Sequence, residues 1–382
     1  MLIRYKTGKN GKPIPQAKVY TGDEHGIDTS YIDYDAVRIA RRLRRHGFQA
    51  YIVGGAVRDL LIGRIPKDFD MATNAAPGQI RKLFRNSRII GKRFKLVHIF
   101  FHNKIIEVAT FRSRESSGFN AVYGSIDEDA ERRDFTLNSL YYDTENNQVL
   151  DYTGGYEDIR GRVLRPVIPL KRIFTEDPVR MIRAVKYSER THFKMTFRLR
   201  RRLLRSTALL SETPQSRMSE EVFKILASGN ASGILKRCFE CGLLVHMVPR
   251  IDALLRDETN QFFDHFFASM ERLDAFVAEQ PTENRAALIA FFCSGFFYHV
   301  SELGSRRKVP TGELYSEIKE LMKPVTPPNR DVETAVHILI RQRKQYRECG
   351  EFSAPVNSDP IEEKKHRNRR PRRRRRGTTG SS

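Results

Sequence analysis

The sequence predicts an α+β protein in which a small mixed-sheet head precedes an all-helical remainder. β-rich runs with hairpin turns stop near residue 155, and helical periodicity takes over from about 176. After 350 the composition turns to Ser, Pro and Glu and then to Arg. Taken in order, residues 1–30 are rich in Gly, Lys and Pro without a sustained period, which predicts a partly disordered leader. YIDYDAVRIARRLRRHGF, 31–48, carries Ile32, Val37, Ile39, Ala40 and Leu43 along one helix face, with Gly47 as the stop. A strand at 49–53, a Gly-Gly turn and a helix near 56–62 follow. DFDMAT then continues as a strand, and PGQIRKLF opens a helix on Pro77. KLVHIFF and KIIEVATF form a hairpin pattern around HNK, repeated by SLYYDTENNQVLDYTGG around Asn146-Asn147. These elements define a head over 31–160. The helical segments from EDPVRMIRAVKYSER to RDVETAVHILIRQRKQ share no fixed repeat; they divide into a neck over 161–250 and a C-terminal body over 251–350. The Arg-rich end, 351–382, is expected to be disordered.

The bulk chemistry narrows the partners. Among 382 residues, 68 Lys and Arg face 46 Asp and Glu, a formal net charge of +22 that points to a polyanion, either nucleic acid or an anionic membrane surface. The run KKHRNRRPRRRRR, 364–376, concentrates part of that charge, yet the rest of the chain stays basic without it. The opening residues are polar and unlike a signal peptide, and the longest apolar run, ALIAFFCSGFFYHV at 287–300, is too short to cross a bilayer. No membrane contact is therefore expected, and the absence of a disulfide framework among the four cysteines suits the cytoplasm. Cys238 and Cys241 form a single C-x-x-C with no second pair and no preceding strand, which predicts packing within a helix.

The stretch YIVGGAVRDLLIGRIPKDFD, 51–70, holds the first candidate site. Gly54 and Gly55, after an apolar strand and before a helix, let backbone amides approach a phosphate, and Arg58 follows within a helical turn. The glycines alone also fit an ordinary strand-to-helix turn; a P-loop is excluded because no G-K-[ST] follows. Asp68 and Asp70 alternate with Phe69 and Met71, so both carboxylates share one strand face about 7 Å apart. In a basic chain, such a pair calls for a cation between them. Mg2+ prefers one or two carboxylates plus substrate phosphates, and such ions assist phosphoryl transfer. A third carboxylate is either Glu107, the charge inside an apolar strand that could also face solvent, or Asp134 in RRDFTLNSL, which could also cap a helix start. Arg132, Arg133, Thr136 and Asn138 around it offer guanidiniums for a triphosphate and polar groups for a ribose. Finally, Asp177, Arg180 and Arg183 in TEDPVRMIRA recur every three residues, with Asp177 in the cap position and Pro178 in the first turn of a helix. A cap with solvated arginines is one reading. The other is recognition of a base, the carboxylate accepting from an exocyclic amine while a guanidinium donates to a ring nitrogen, a pattern that fits adenine or cytosine.

Gly-Gly-x-x-Arg-Asp at 54–59, Asp-Phe-Asp at 68–70, Arg-Arg-Asp-Phe-Thr-x-Asn at 132–138 and Glu-Asp-Pro-x-Arg-x-x-Arg at 176–183 follow one another in an order that resembles the class II nucleotidyltransferases. These are the tRNA CCA-adding enzymes and bacterial poly(A) polymerases, and the similarity covers roughly residues 19–250. The stretch LFRNSRIIGKRFKLVHI, 83–99, the segment KPVTPPNRDVETAVHILIRQR and the Arg-rich tail resemble the poly(A) polymerase branch. The resemblance implies a head like the palm of DNA polymerase beta, with Asp68, Asp70 and Asp134 catalytic and the first two holding Mg2+. Gly54, Gly55, Arg58, Arg133, Asn138, Asp177, Arg180 and Arg183 would bind the nucleotide. The implied activity is template-independent addition of AMP from ATP to RNA 3′ ends with release of pyrophosphate, in RNA polyadenylation and decay. The expected partners are RNA 3′ ends and ATP, with RNA-decay proteins as candidates, and the expected form is a monomer. A CCA-adding enzyme is the alternative within the superfamily. A catalytically inactive RNA-binding protein is the alternative outside it, against which the carboxylate pair argues.

Overall fold

The structure is a computed structural model and describes residues 1–349 except 8, 9, 11, 92–94, 103, 114–121, 260 and 283, and the side chains at 345 and 347–349. The expected disordered tail at 351–382 lies outside the described residues.

The head is built on a nine-stranded sheet. Its strands are β1 (Leu2–Thr7), β2 (Pro13–Tyr20), β3 (Ala50–Val53), β4 (Asp70–Thr73), β5 (Ser87–Ile90), β6 (Leu96–Phe100), β7 (Ile105–Thr110), β8 (Leu140–Asp143) and β9 (Gln148–Asp151). They lie in the order β1-β2-β9-β8-β3-β4-β7-β6-β5. Every neighbouring pair is antiparallel except β4 with β7, whose parallel pairing sets Met71 beside Val108. Alternation along the strands divides the sheet into two faces. Ala50, Ile52, Met71, Val108 and Tyr142 enter the main core, packed beneath α1 (Tyr34–Arg45), α2 (Gly55–Leu61) and α3 (Pro77–Leu83). Tyr51, Val53, Ala72, Tyr141 and Leu150 point the other way and meet Ile126 and Ala130 of α4 (Ile126–Glu131) in a smaller cluster.

One expectation changes here. The described residues among 1–30 are not a loose leader: β1 and β2 pair with each other, and β2 pairs in turn with β9, from Lys18↔Asp151 to Tyr20↔Val149. Pro13 and Pro15 break the alternation that would have announced β2 as a strand; they lie where β2 pairs with β1 alone, since it meets β9 only from Lys18 to Tyr20, and β1 itself is an exposed edge strand. Strand identity there comes from pairing with β9 rather than from local pattern.

Beyond the head the described residues are mainly helical, as predicted, with a two-residue parallel pair between Val163–Leu164 and Lys194–Met195. α5 (Arg180–Thr191), α6 (Gln215–Leu226) and α7 (Ala231–Glu240) follow the head, and α8 (Phe262–Glu279), α9 (Arg285–His299), α10 (Thr311–Met322) and α11 (Asn329–Cys349) build the rest. α9 is buried on almost every side, with Phe291, Phe292, Phe296 and their neighbours along it all out of solvent, which accounts for its continuous apolar sequence. Cys238 is buried within α7 and Cys241 caps its end, both as free thiols. Among the described residues, no helix is long and apolar enough to cross a membrane.

Candidate active site

Two groups of side chains meet where β3 ends and β4 begins. Asp70 opens β4 directly opposite Val53, the last residue of β3, so the Gly54 turn and the Asp70 carboxyl begin from one strand pair. Asp68 precedes the strand. Both aspartates are exposed while Phe69 and Met71 are buried, which puts the two carboxyls on one side of the segment. The parallel register places Glu107 on β7 beside Asp70, on the face of the smaller core. Asp70 is reachable by solvent but is surrounded by protein in the cleft. Burial, then the Glu107 and Asp68 carboxylates, push its carboxyl up to about 6, with Arg133 and Lys224 only partly opposing them. Glu107 Oε1 lies 3.0 Å from His98 Nε2 across the β6–β7 pair. Among the described residues, no group of three or more His, Cys, Asp and Glu is arranged to hold a metal. Mg2+ needs no such cage, because substrate phosphates and water complete its octahedron. A carboxylate short of positive charge beside two others fits such an ion.

Across the turn the chemistry reverses. Gly54 takes φ 69°, a backbone state that favours glycine, and caps α2 without any side chain. Two guanidiniums flank the turn: Arg133 Nη1 lies 3.5 Å from where a Cβ on Gly54 would sit, and Arg58 Nη2 lies 3.5 Å from one on Gly55. Both are held in place. Buried Arg58 donates from Nη1 to Asn138 Oδ1 at 2.8 Å and from Nε to Asp59 at 2.8 Å, over the Tyr187 ring. Arg133 donates to the Asn138 carbonyl at 3.2 Å, the Tyr141 hydroxyl at 3.2 Å and Asp129 at 3.0 Å. Tyr141 in turn donates to Asp129 at 2.6 Å. Burial alone would push Arg133 down, but Tyr141 and Asp129 outweigh it and hold the guanidinium above the ordinary arginine range. Asn138 thus ties the two arginines together, and the fixed amides and cations of this corner suit a polyphosphate.

A third group lies on the helices. Arg183 donates to Glu221 at 2.7 Å and approaches Asp134 at 3.7 Å, while Lys186 donates to the other Glu221 oxygen at 2.7 Å. Burial would raise the Glu221 carboxyl, but Lys186 and Arg183 bring it down to about 2. Asp134 accepts from the Phe135 amide at 2.9 Å and faces Arg183, whereas the carboxylates acting on Asp70 are Glu107 and Asp68. The 3-10 turn that follows, Thr136–Asn138, has Phe135 at its cap, so Asp134 does not cap a helix start.

The expected arrangement of Asp177, Arg180 and Arg183 on one helix face also differs. α5 begins at Arg180 with Val179 at its cap, and Asp177 ends the short helix Ile173–Glu176 in an extended conformation, φ −154° and ψ 95°. Pro178 causes this, because a following proline disfavours helical backbone. Asp177 binds Arg217 at 2.6 Å. Arg180 binds Glu176 at 3.2 Å and the Ile173 carbonyl at 3.0 Å. Of the residues that sequence reasoning missed, Glu221 had a visible signal: it is the charge in the apolar row Met218, Val222, Ile225. Asp129 stands four residues before Arg133, a spacing that brings helical side chains together.

A family model described as "Poly A polymerase head domain" matches residues 50–165, and one described as "Probable RNA and SrmB- binding site of polymerase A" matches residues 192–255. Poly(A) polymerase I of Salmonella typhi is 36% identical over 322 residues, covering 79% of this chain and 68% of the relative. The CCA-adding enzyme of Geobacillus thermodenitrificans is 35% identical over 219 residues, covering 56% of this chain and 54% of that protein. Among solved structures, the Bacillus stearothermophilus CCA-adding enzyme in complex with CTP superposes with a TM-score of 0.59 at 28% identity, over 81% of this chain and 69% of that one. The chain therefore belongs to the poly(A) polymerase family of nucleotidyltransferases, whose fold it shares with the CCA-adding enzymes.

Proposed function

We propose that the protein is a template-independent poly(A) polymerase that transfers AMP from ATP to RNA 3′ ends and releases pyrophosphate. The observation that carries this reading is the meeting, around the Gly54-Gly55 turn, of a carboxylate short of positive charge with two fixed guanidiniums. That is the charge pattern of a metal–triphosphate site. Asp68 and Asp70 would hold a divalent cation, Mg2+ by the donor chemistry, with Glu107 or Asp134 as the third carboxylate. Bound there, the ion would neutralise charge on the attacking and leaving oxygens. Arg58 and Arg133, with the Gly54 and Gly55 amides, would orient the triphosphate so that the α-phosphorus faces the RNA 3′ hydroxyl. Asn138 would meet the ribose while keeping both guanidiniums in position. Asp177 and Arg180, turned from Arg217 and Glu176, would read the pairing edge of the base, with Arg183 beside them. The RNA would lie along the segment at 192–255, consistent with the family description of that region.

Sequence similarity favours ATP and long A-tails, since the poly(A) polymerase match extends over more of both chains than the CCA-adding match. The resemblance to CCA-adding structures keeps ordered C, C, A addition as the second reading. One assay separates them: each nucleotide triphosphate with Mg2+ is offered to an oligo(A)-ended RNA and to a tRNA lacking its CCA end. Efficient ATP use on oligo(A), slow CTP use and poor GTP and UTP use are expected. Ordered addition of C, C and A to the tRNA, without extension of oligo(A), would overturn the proposal.

A further inference from the structure

The sheet face that carries the carboxylates does not end at them. Following the pairing outward, Glu107 lies opposite His98, and His98 opposite Arg88, so Asp70, Glu107, His98 and Arg88 form one row across β4, β7, β6 and β5. On the inner half of this face, Tyr51, Val53 and Tyr141 are covered by Ile126 and Ala130. On the outer half Phe100 is 41% exposed, Ile105 48% and Ile90 37%, an apolar strip with Arg88 at its rim. The strip runs into a shallow cleft of about 630 Å3 at the outer edge, lined by Arg81, Arg85, Asn86, Arg88, Ile89 and Phe100. Arg85 and Arg88 are exposed and make no ion pair among the described residues. Arg81 donates to the Phe84 and Arg85 carbonyls.

We propose that this strip and cleft hold the single-stranded RNA segment just upstream of the 3′ end, with Phe100 as a base-stacking platform and Arg85 and Arg88 on its phosphates. The inference rests on the polymerase reading and gives the RNA a path on the head, outside the segment at 192–255. Cations with no acidic partner beside an exposed aromatic are the features by which proteins hold single strands without reading sequence. Strand spacing sets Arg88 about 10 Å from the Glu107 strand, so a chain whose 3′ hydroxyl reached the carboxylates would cross His98 and Phe100 on its way out. An acidic peptide paired to the open β5 edge is the competing occupant. The apolar strip leading to the carboxylates favours RNA, since a peptide at the edge would have no use for it.

The test uses the full chain, a long oligoadenylate and the dinucleotide ApA as primers, and fluorescence anisotropy of the long primer without nucleotide. In Arg85→Ala/Arg88→Ala the kcat/KM preference for the long primer over ApA should fall about tenfold, through KM. The salt dependence of long-primer binding should become shallower by about 0.7 for each phosphate that is no longer neutralised. Phe100→Ala should weaken long-primer binding roughly fivefold with the salt slope unchanged. An unchanged primer preference and salt slope in the double variant would overturn the proposal, as would loss of a co-purifying protein with RNA binding intact. Anisotropy needs no turnover, so it decides on the cleft even if the wild type incorporates no nucleotide, the result that would instead overturn the polymerase reading.

Discussion

The two sides of the candidate active site are built from opposite charge and in opposite states of completion. On the β4 side, Asp68, Asp70 and Glu107 stand together with their negative charge incompletely balanced, and burial, then the two neighbouring carboxylates, hold Asp70 up to about 6. On the other side, Arg58, Arg133 and Arg183 are each tied to a carboxylate, and two of them to Asn138 as well. The difference teaches how such a site divides its labour. The guanidinium side is finished when the chain folds and, on the proposed reading, would need no reorganisation to receive a triphosphate. On the same reading, the carboxylate side would be completed by a cation that arrives with the substrate.

The largest effects should come from breaking the unfinished side. Asp68→Ala or Asp70→Ala should reduce nucleotide incorporation by at least about a hundredfold, since removing a proposed metal ligand would take away several kcal/mol of transition-state stabilisation. RNA binding by anisotropy should persist, because neither residue supports the core. Near-normal turnover in either variant would remove the carboxylates from the chemistry.

On the finished side the loss should fall on stability as well as activity. Arg58→Ala leaves Asn138 and Asp59 without their buried donor and should cost about 3 kcal/mol in denaturant unfolding, with a raised KM for ATP. Glu221→Gln should cost about 2–3 kcal/mol near neutral pH, because it leaves Lys186 and Arg183 sharing a neutral partner. Here the sign with pH is informative. Glu221 is held at about 2 in the folded chain against an ordinary value of 4.5, so its stabilisation is present above 4.5 and disappears as pH falls towards 2. The gap between wild type and variant should close over that window. A gap that stays constant would show that the side chain acts by shape rather than by charge.

The smallest effect on folding should come from Asp177→Ala, whose partner Arg217 is partly exposed; a surface ion pair contributes about 0–1 kcal/mol. Its consequence should be selectivity, with discrimination of ATP over GTP and UTP relaxed by roughly tenfold as one matched hydrogen bond is removed. Unaltered nucleotide preference would place base selection elsewhere.

What could be read in the sequence follows from how far apart the cooperating residues are. The hairpin around Asn146-Asn147 and the helix opened by Pro77 depend on neighbours within a few positions, and both stand in the structure where the pattern put them. Asp68 and Asp70 announced themselves in the same way, as carboxylates alternating with apolar residues. The β1–β2 hairpin did not, because its pairing partner β9 lies some 130 residues downstream. The Arg183–Glu221 contact spans 38 residues, and the Arg58–Asn138 bond spans 80. No local period encodes either. Asp177 was misplaced by one structural element because Pro178 suits a first helical turn and equally forces the residue before it out of the helix.

The contrast between the two sides is tested most directly by the melting temperature of Asp70→Asn at neutral pH, measured with a non-hydrolysable ATP analogue in the absence and presence of Mg2+. The amide keeps the shape of the side chain and removes a charge that the folded protein does not balance. The variant should therefore melt above the wild type without metal, and should lose most of the further rise that Mg2+ gives the wild type. A variant that melts below the wild type without metal, or that gains as much from Mg2+, would contradict the account.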